Sequence, residues 1–150
     1  MVKYQGIFFE GEAADLIRSA EGVHLPVVND EYHCTFKYRP SDAEIFDAVA
    51  GKEIEVLLVG YACDGKNSGF EIVLPFDVEK YYTNYDSEGM LKTPHITTSL
   101  TLDARAVDTA NLNFRPLPKP IAVTGRFGYW VEKDDMKFIS YEPYKKAKTI

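Results

Sequence analysis

Three histidines occur in this 150-residue chain, and two of them open the same kind of triplet, His33-Cys34-Thr35 and His95-Ile96-Thr97. With so few histidines, two such coincidences arise by chance roughly once in a hundred chains of this composition. Imidazole titrates near neutral pH, so a pair of histidines can supply a neutral base and a protonated acid together. The threonine hydroxyls add donors for charged oxygens. A phosphodiester needs this set: a base for the attacking oxygen, an acid for the leaving oxygen, and donors for the phosphoryl oxygens.

Each triplet acts as a unit only if its His and Thr share a face, and a strand provides that because residues i and i+2 project to one side. Across residues 31–38 the sequence sets His33, Thr35 and Lys37 against Tyr32, Cys34, Phe36 and Tyr38. One side is expected to pack on a core while the other faces a cleft. The second copy sets His95, Thr97 and Ser99 against Ile96, Thr98 and Leu100, a less clean alternation. Lys37 shares the face of His33 and is a candidate to meet a phosphate as a point charge. Tyr4 and Tyr129 are candidate stacking surfaces for a base, although core packing explains aromatic residues equally well. His24, in a proline-containing connection without a hydroxyl partner, is assigned no role.

The elements that must hold these residues are legible in outline. Residues 3–10 read as a strand and 12–20 as a helix that Gly22 ends, with 25–29 linking to the first motif strand. Ser41 and Glu44 form a capping box for a helix over 42–50. Residues 53–62 and 69–74 read as strands joined by a turn at 63–68, where Asp64, Lys66 and Asn67 are placed to reach a ligand but turn chemistry explains Asp, Gly and Asn without one. Residues 77–89 read as a helix followed by a mobile loop, 93–102 as the second motif strand, and 103–111 as a polar stretch with a short helical turn. A proline-broken connection at 114–120 precedes strands at 121–130 and 136–142. This order predicts one α+β domain over residues 1–150, an antiparallel sheet with a few helices on its outer side.

Composition narrows the partners. A formal net charge of −6 argues against tight binding of long nucleic acid, which needs clustered Lys and Arg, and favours a nucleotide or short oligonucleotide. The one basic cluster, at 144–148, reads as a solvated tail. Two cysteines, Cys34 and Cys63, are expected as free thiols, and the interrupted apolar run at the N-terminus reads as neither signal peptide nor membrane span. The expected setting is the cytoplasm, with no membrane partner. No cofactor or metal is expected, since the histidines and cysteines lack metal-ligand spacing. Cys34 lies on the face opposite His33, which disfavours a thiol nucleophile.

Tyr32-His33-Cys34-Thr35-Phe36 and Pro94-His95-Ile96-Thr97 resemble the paired His-x-Thr/Ser motifs of the two-histidine (2H) phosphoesterases. The resemblance implies a bilobal α+β fold with two antiparallel sheets facing a central cleft and helices outside. It also implies a metal-independent enzyme that hydrolyses cyclic phosphates or short phosphodiesters, such as 2′,3′-cyclic phosphates, 2′-5′ oligonucleotides or cyclic oligonucleotide signals. Some phage and viral members destroy such signals to evade host immunity. His33 and His95 would then share the acid and base roles, with Thr35 and Thr97 on the non-bridging oxygens. This chain departs from the pattern in its compact motif spacing and in Thr98, where an aliphatic residue is usual. The competing expectation is a non-catalytic module that sequesters a nucleotide or binds an RNA end.

Overall fold

A computed structural model of the protein describes residues 1–29 and 31–144. Eight strands run through it: β1 Val2–Phe9, β2 Val27–Val28, β3 Tyr32–Tyr38, β4 Glu53–Cys63, β5 Asn67–Val73, β6 His95–Leu100, β7 Arg115–Lys133 and β8 Met136–Ser140. All belong to one antiparallel sheet of order β2-β6-β5-β4-β7-β1-β3, with β8 paired to β7. The expected pair of sheets facing a cleft is therefore corrected to a single sheet, in a mostly-β protein. The reason lies in its middle: β4 pairs with β5 on one side, and on the other its residues Glu53 to Leu58 ladder with Arg126 to Ile121 of β7. That ladder joins what would have been two lobes.

The sheet cannot be flat. Seven strands side by side at ~4.8 Å would put β2 and β3 about 29 Å apart. Only residues 29–31 connect Val28 to Tyr32, a reach of about 14 Å at full extension. The sheet is thus curled until its ends approach. Asn29 completes the closure, donating its amide to Thr98 O at 3.0 Å and its side-chain Nδ2 to Thr97 O at 2.9 Å.

Helices are fewer and shorter than the sequence suggests: α1 Glu12–Ala20, α2 Phe76–Glu79, and three 3-10 stretches, Asp42–Glu44, Asp47–Val49 and Ala106–Asn111. The expected helix over 42–50 starts as its capping box directs, with Ser41 N bonded to Glu44 Oε1 at 3.0 Å. It then breaks, because buried Gln5 of β1 takes the backbone for itself: Nε2 donates to Glu44 O at 2.8 Å and Phe46 N donates to Oε1 at 3.2 Å. The loop after α2 is tied down by a bridge between Tyr85 and Leu91, inside which Asp86 Oδ1 accepts the amides of Glu88 and Met90. Of the expected connection at 114–120, residues 115–120 belong to β7, and the prolines are accommodated where the register jumps: Leu58 faces Ile121 but Gly60 faces Pro116, so 117–120 bulge away from β4. Asp134 and Asp135, both with positive φ, make the tight turn from β7 to β8.

The core is filled from alternating strand positions, including Ile7 and Phe9 of β1, Cys34 and Phe36 of β3, Phe70, Ile96 and Phe127. Burial along β3 alternates without a break from Tyr32 to Lys37. Both cysteines are free thiols. Among the described residues no helix is long and apolar enough to cross a membrane. The basic run at 145–148 lies outside the described residues.

Candidate active site

His33, Thr35, His95 and Thr97 line one cavity of about 510 Å³. The first two come from β3, at one end of the sheet, and the last two from β6, near the other. Curling brings them together: Cys34 of β3 lies against the backbone of His95, and the charge of His95 reaches His33. On β3, alternation sends Tyr32, Cys34 and Phe36 into the core and leaves His33 and Thr35 half-buried on the cavity side. A close approach of β1 permits this. A Cβ on Gly6 would sit 2.0 Å from Cys34 O, so only glycine fits opposite Thr35.

The two imidazoles are held alike. His33 Nδ1 lies 2.9 Å from Glu31 O, and His95 Nδ1 lies 2.7 Å from Thr93 O, in each case the carbonyl two residues back. A carbonyl only accepts, so Nδ1 carries the proton in both rings and Nε2 keeps its lone pair. Burial pushes His33 down to about 4, opposed by the Glu31 carbonyl and assisted by the charge of His95. His95 is lowered too, by burial first and also by Lys92, against the Thr93 carbonyl. In both rings burial thus favours the neutral form.

The hydroxyls differ. Thr97 Oγ1 donates to buried Thr109 Oγ1 at 2.9 Å, and Thr109 also accepts from Asn67 Nδ2 at 3.1 Å. The Thr35 hydroxyl has no hydrogen-bond partner among the described residues, while its carbonyl accepts Asn84 Nδ2 at 3.2 Å.

The remaining expected site residues divide. Tyr4 lines the cavity, but its ring backs His33, with centroids 4.7 Å apart, and lies parallel to Trp130 at 6.0 Å. Lys37 is not among the residues that line the cavity, and its ammonium pairs with Glu44 at 3.3 Å. Tyr129 is corrected from stacking surface to core residue. It is fully buried, and its hydroxyl donates to Asp47 Oδ1 at 2.7 Å. In the 63–68 turn, Asp64 Oδ1 accepts the amides of Lys66 and Asn67, as turn chemistry predicts. Cys34 is buried, and burial pushes its thiol up to about 12, which removes it as a nucleophile.

Asn84, Tyr85, Lys92 and Arg105 also border the cavity, and sequence reading assigned them nothing. They sit in irregular connections, where no periodicity marks an inward face. Among the described residues, none that lines the cavity is a carboxylate, and no three His, Cys, Asp or Glu are grouped as for a metal. The arrangement offers two proton carriers, hydroxyl donors and cationic charge around one recess, a set suited to an anionic ester. No protein-family model matches the chain, and no curated protein matches it.

Proposed function

We propose that the protein is a metal-independent phosphodiesterase of the two-histidine kind, acting on a cyclic or short nucleotide phosphodiester. The observation that carries this reading is the pair of His-x-Thr triplets, drawn from opposite ends of the sheet to one cavity with both Nδ1 atoms clamped by the carbonyl two residues back. The resemblance lies in these motifs and their chemistry, not in the two-sheet fold.

The chemistry follows from the free Nε2 atoms. One takes the proton of the attacking water or ribose hydroxyl as the new P–O bond forms. The other, once protonated, gives its proton to the oxygen whose bond to phosphorus breaks. Burial favours the neutral form of both imidazoles before ligand binds. An anionic phosphate between them favours the imidazolium, so the substrate supplies the charge that loads the acid. Thr35 donates to a phosphoryl oxygen directly. Thr97 does so once its hydroxyl turns and Thr109 donates to it instead.

Incubation with 2′,3′-cyclic nucleotides, linear 2′-5′ oligonucleotides and cyclic dinucleotides, with EDTA present and products separated, tests the reading. A ring-opened or shortened product in at least one lane is expected, and it should vanish in the double variant His33→Ala/His95→Ala. Recovery of every compound intact overturns the enzyme, and a compound retained but uncleaved identifies a sequestering module instead.

A further inference from the structure

Carboxylates outnumber cationic side chains 23 to 17 in this chain, yet among the described residues the charged side chains that line the cavity, Lys92 and Arg105, are both cationic. A recess lined with one sign of charge concentrates ions of the other. Both cations belong to the His95 side. The charge of Lys92 acts on His95, and Arg105 caps the 3-10 stretch whose Thr109 holds Thr97.

Both positions are fixed by the backbone. Asn67, buried in β5, donates Nδ2 to Arg105 O at 2.8 Å. Lys92 donates its amide to Asn84 O at 2.8 Å, and the side chain of Asn84 ties that segment to β3 through Thr35 O. The Lys92 ammonium has no carboxylate partner among the described residues, and Arg105 has only exposed Asp108 at 3.6 Å. Tyr85 faces the cavity from the same segment as Lys92, half-exposed and with no ring stacked on it among the described residues, so one aromatic face is available to a base.

A single phosphodiester carries one negative charge, and two imidazoles and two hydroxyls already answer it. Two further cations beside that set call for a second anionic group. We propose that Lys92 and Arg105 form a second-anion subsite, so that the ligand is a nucleotide bearing one phosphate group besides the one held between His33-x-Thr35 and His95-x-Thr97. The assignment of the first phosphate rests on the phosphodiesterase reading, whereas the subsite itself is read by binding alone.

The test is equilibrium binding of two probes that offer no diester to cleave, adenosine 3′-monophosphate and adenosine 3′,5′-bisphosphate. Wild-type protein should bind the bisphosphate at least tenfold more tightly, and the preference should fall steeply with added salt. In Lys92→Gln/Arg105→Gln the preference should collapse to within about twofold, and Lys92→Arg should retain it. Equal affinities in the wild type, binding of neither probe, or a preference that survives the double variant would overturn the subsite. If the double variant does not fold, the wild-type ratio decides. A protein that prefers the bisphosphate but cleaves no diester keeps the subsite and loses the enzyme; one that cleaves without the preference does the reverse.

Discussion

On β3 the cavity-facing imidazole of His33 rests on the ring of Tyr4, which lies parallel to Trp130 behind it and stacks on Phe8 and Tyr38 at its sides. On β6 the strand that carries His95 is held by a buried carboxylate. Glu21 Oε2 accepts hydrogen bonds from Thr98 Oγ1, from Ser68 Oγ at 2.8 Å and from Ser99 Oγ at 2.7 Å, while Oε1 meets His24 Nδ1 at 2.6 Å. The two halves are alike at the front, where each Nδ1 is clamped by a carbonyl, and unlike at the back. The shared geometry lies in the face each histidine turns to the cavity, and the support behind it is apolar in one half and ionic in the other.

The front equivalence is broken most forcefully by removing one histidine. His33→Ala and His95→Ala should each lower turnover by a factor on the order of 10² to 10⁴. In the proposed mechanism acid and base act in one step, so the double variant should lose little more than the worse single one. Steady-state kinetics on the cleaved diester checks both statements, and near-wild-type turnover in either single variant would end the equivalence.

The supports should fail differently. Tyr4→Ala removes a buried ring and should cost about 3–5 kcal/mol in urea unfolding at pH 7. Glu21→Ala strips three buried hydroxyls of a charged acceptor and should cost about 3 kcal/mol. Acid separates them. Burial alone would raise Glu21, but the bonds from Thr98, Ser99, Ser68 and His24 outweigh it and hold the carboxyl below its usual range. A carboxyl lowered on folding contributes stability above pH ~4.5 that is lost as pH falls further. Tyr4→Ala should keep that acid slope, and Glu21→Ala should lose it.

His33 adds an earlier slope. Its folded value near 4 lies below the ordinary value near 6.5, so between these pH values the unfolded chain takes up a proton that the folded protein refuses. Stability should therefore fall by on the order of 1–3 kcal/mol from pH 6.5 to 4. His33→Asn should lessen the slope in this window, leaving the share that His95, lowered too, contributes and the Glu21 slope below it. Bound phosphate should move the His33 and His95 NMR titrations upward, since the anion favours the charged rings.

The hydroxyls sharpen the comparison at smaller scale. Thr35→Val and Thr97→Val should each reduce turnover by about tenfold or more, as the loss of one donor to a charged oxygen does. Only Thr97→Val should also lower stability, by about 1 kcal/mol, because only that hydroxyl is bonded within the protein.

How far the sequence could be read tracks the same division. The β3 triplet was legible because its apolar face packs on a core, so alternation wrote the pattern directly. The β6 triplet was blurred by Thr98 and Ser99, polar residues that are buried because Glu21 receives them across more than seventy residues of chain. The curling of one sheet was invisible for a similar reason. It depends on the β4–β7 ladder and on a three-residue link from β2 to β3, and local propensity records neither. Lys92 and Arg105 lie in connections without a period, so only the folded chain shows them beside the histidines.

Lys37 marks the limit of reading a face from alternation alone. It shares the parity of His33 and Thr35, and an extended strand would carry all three toward one ligand. The register of β1 on β3 shifts between Gln5 and Gly6, at the level where Thr35 gives way to Lys37. Beyond that shift, Glu44 of the broken helix lies within reach and takes the ammonium at 3.3 Å. Both side chains keep solvent contact, so the pair is worth at most about 1 kcal/mol. Lys37→Ala should therefore lower stability by less than that and leave kcat/KM within about twofold of wild type. A tenfold rise in KM would return Lys37 to the phosphate.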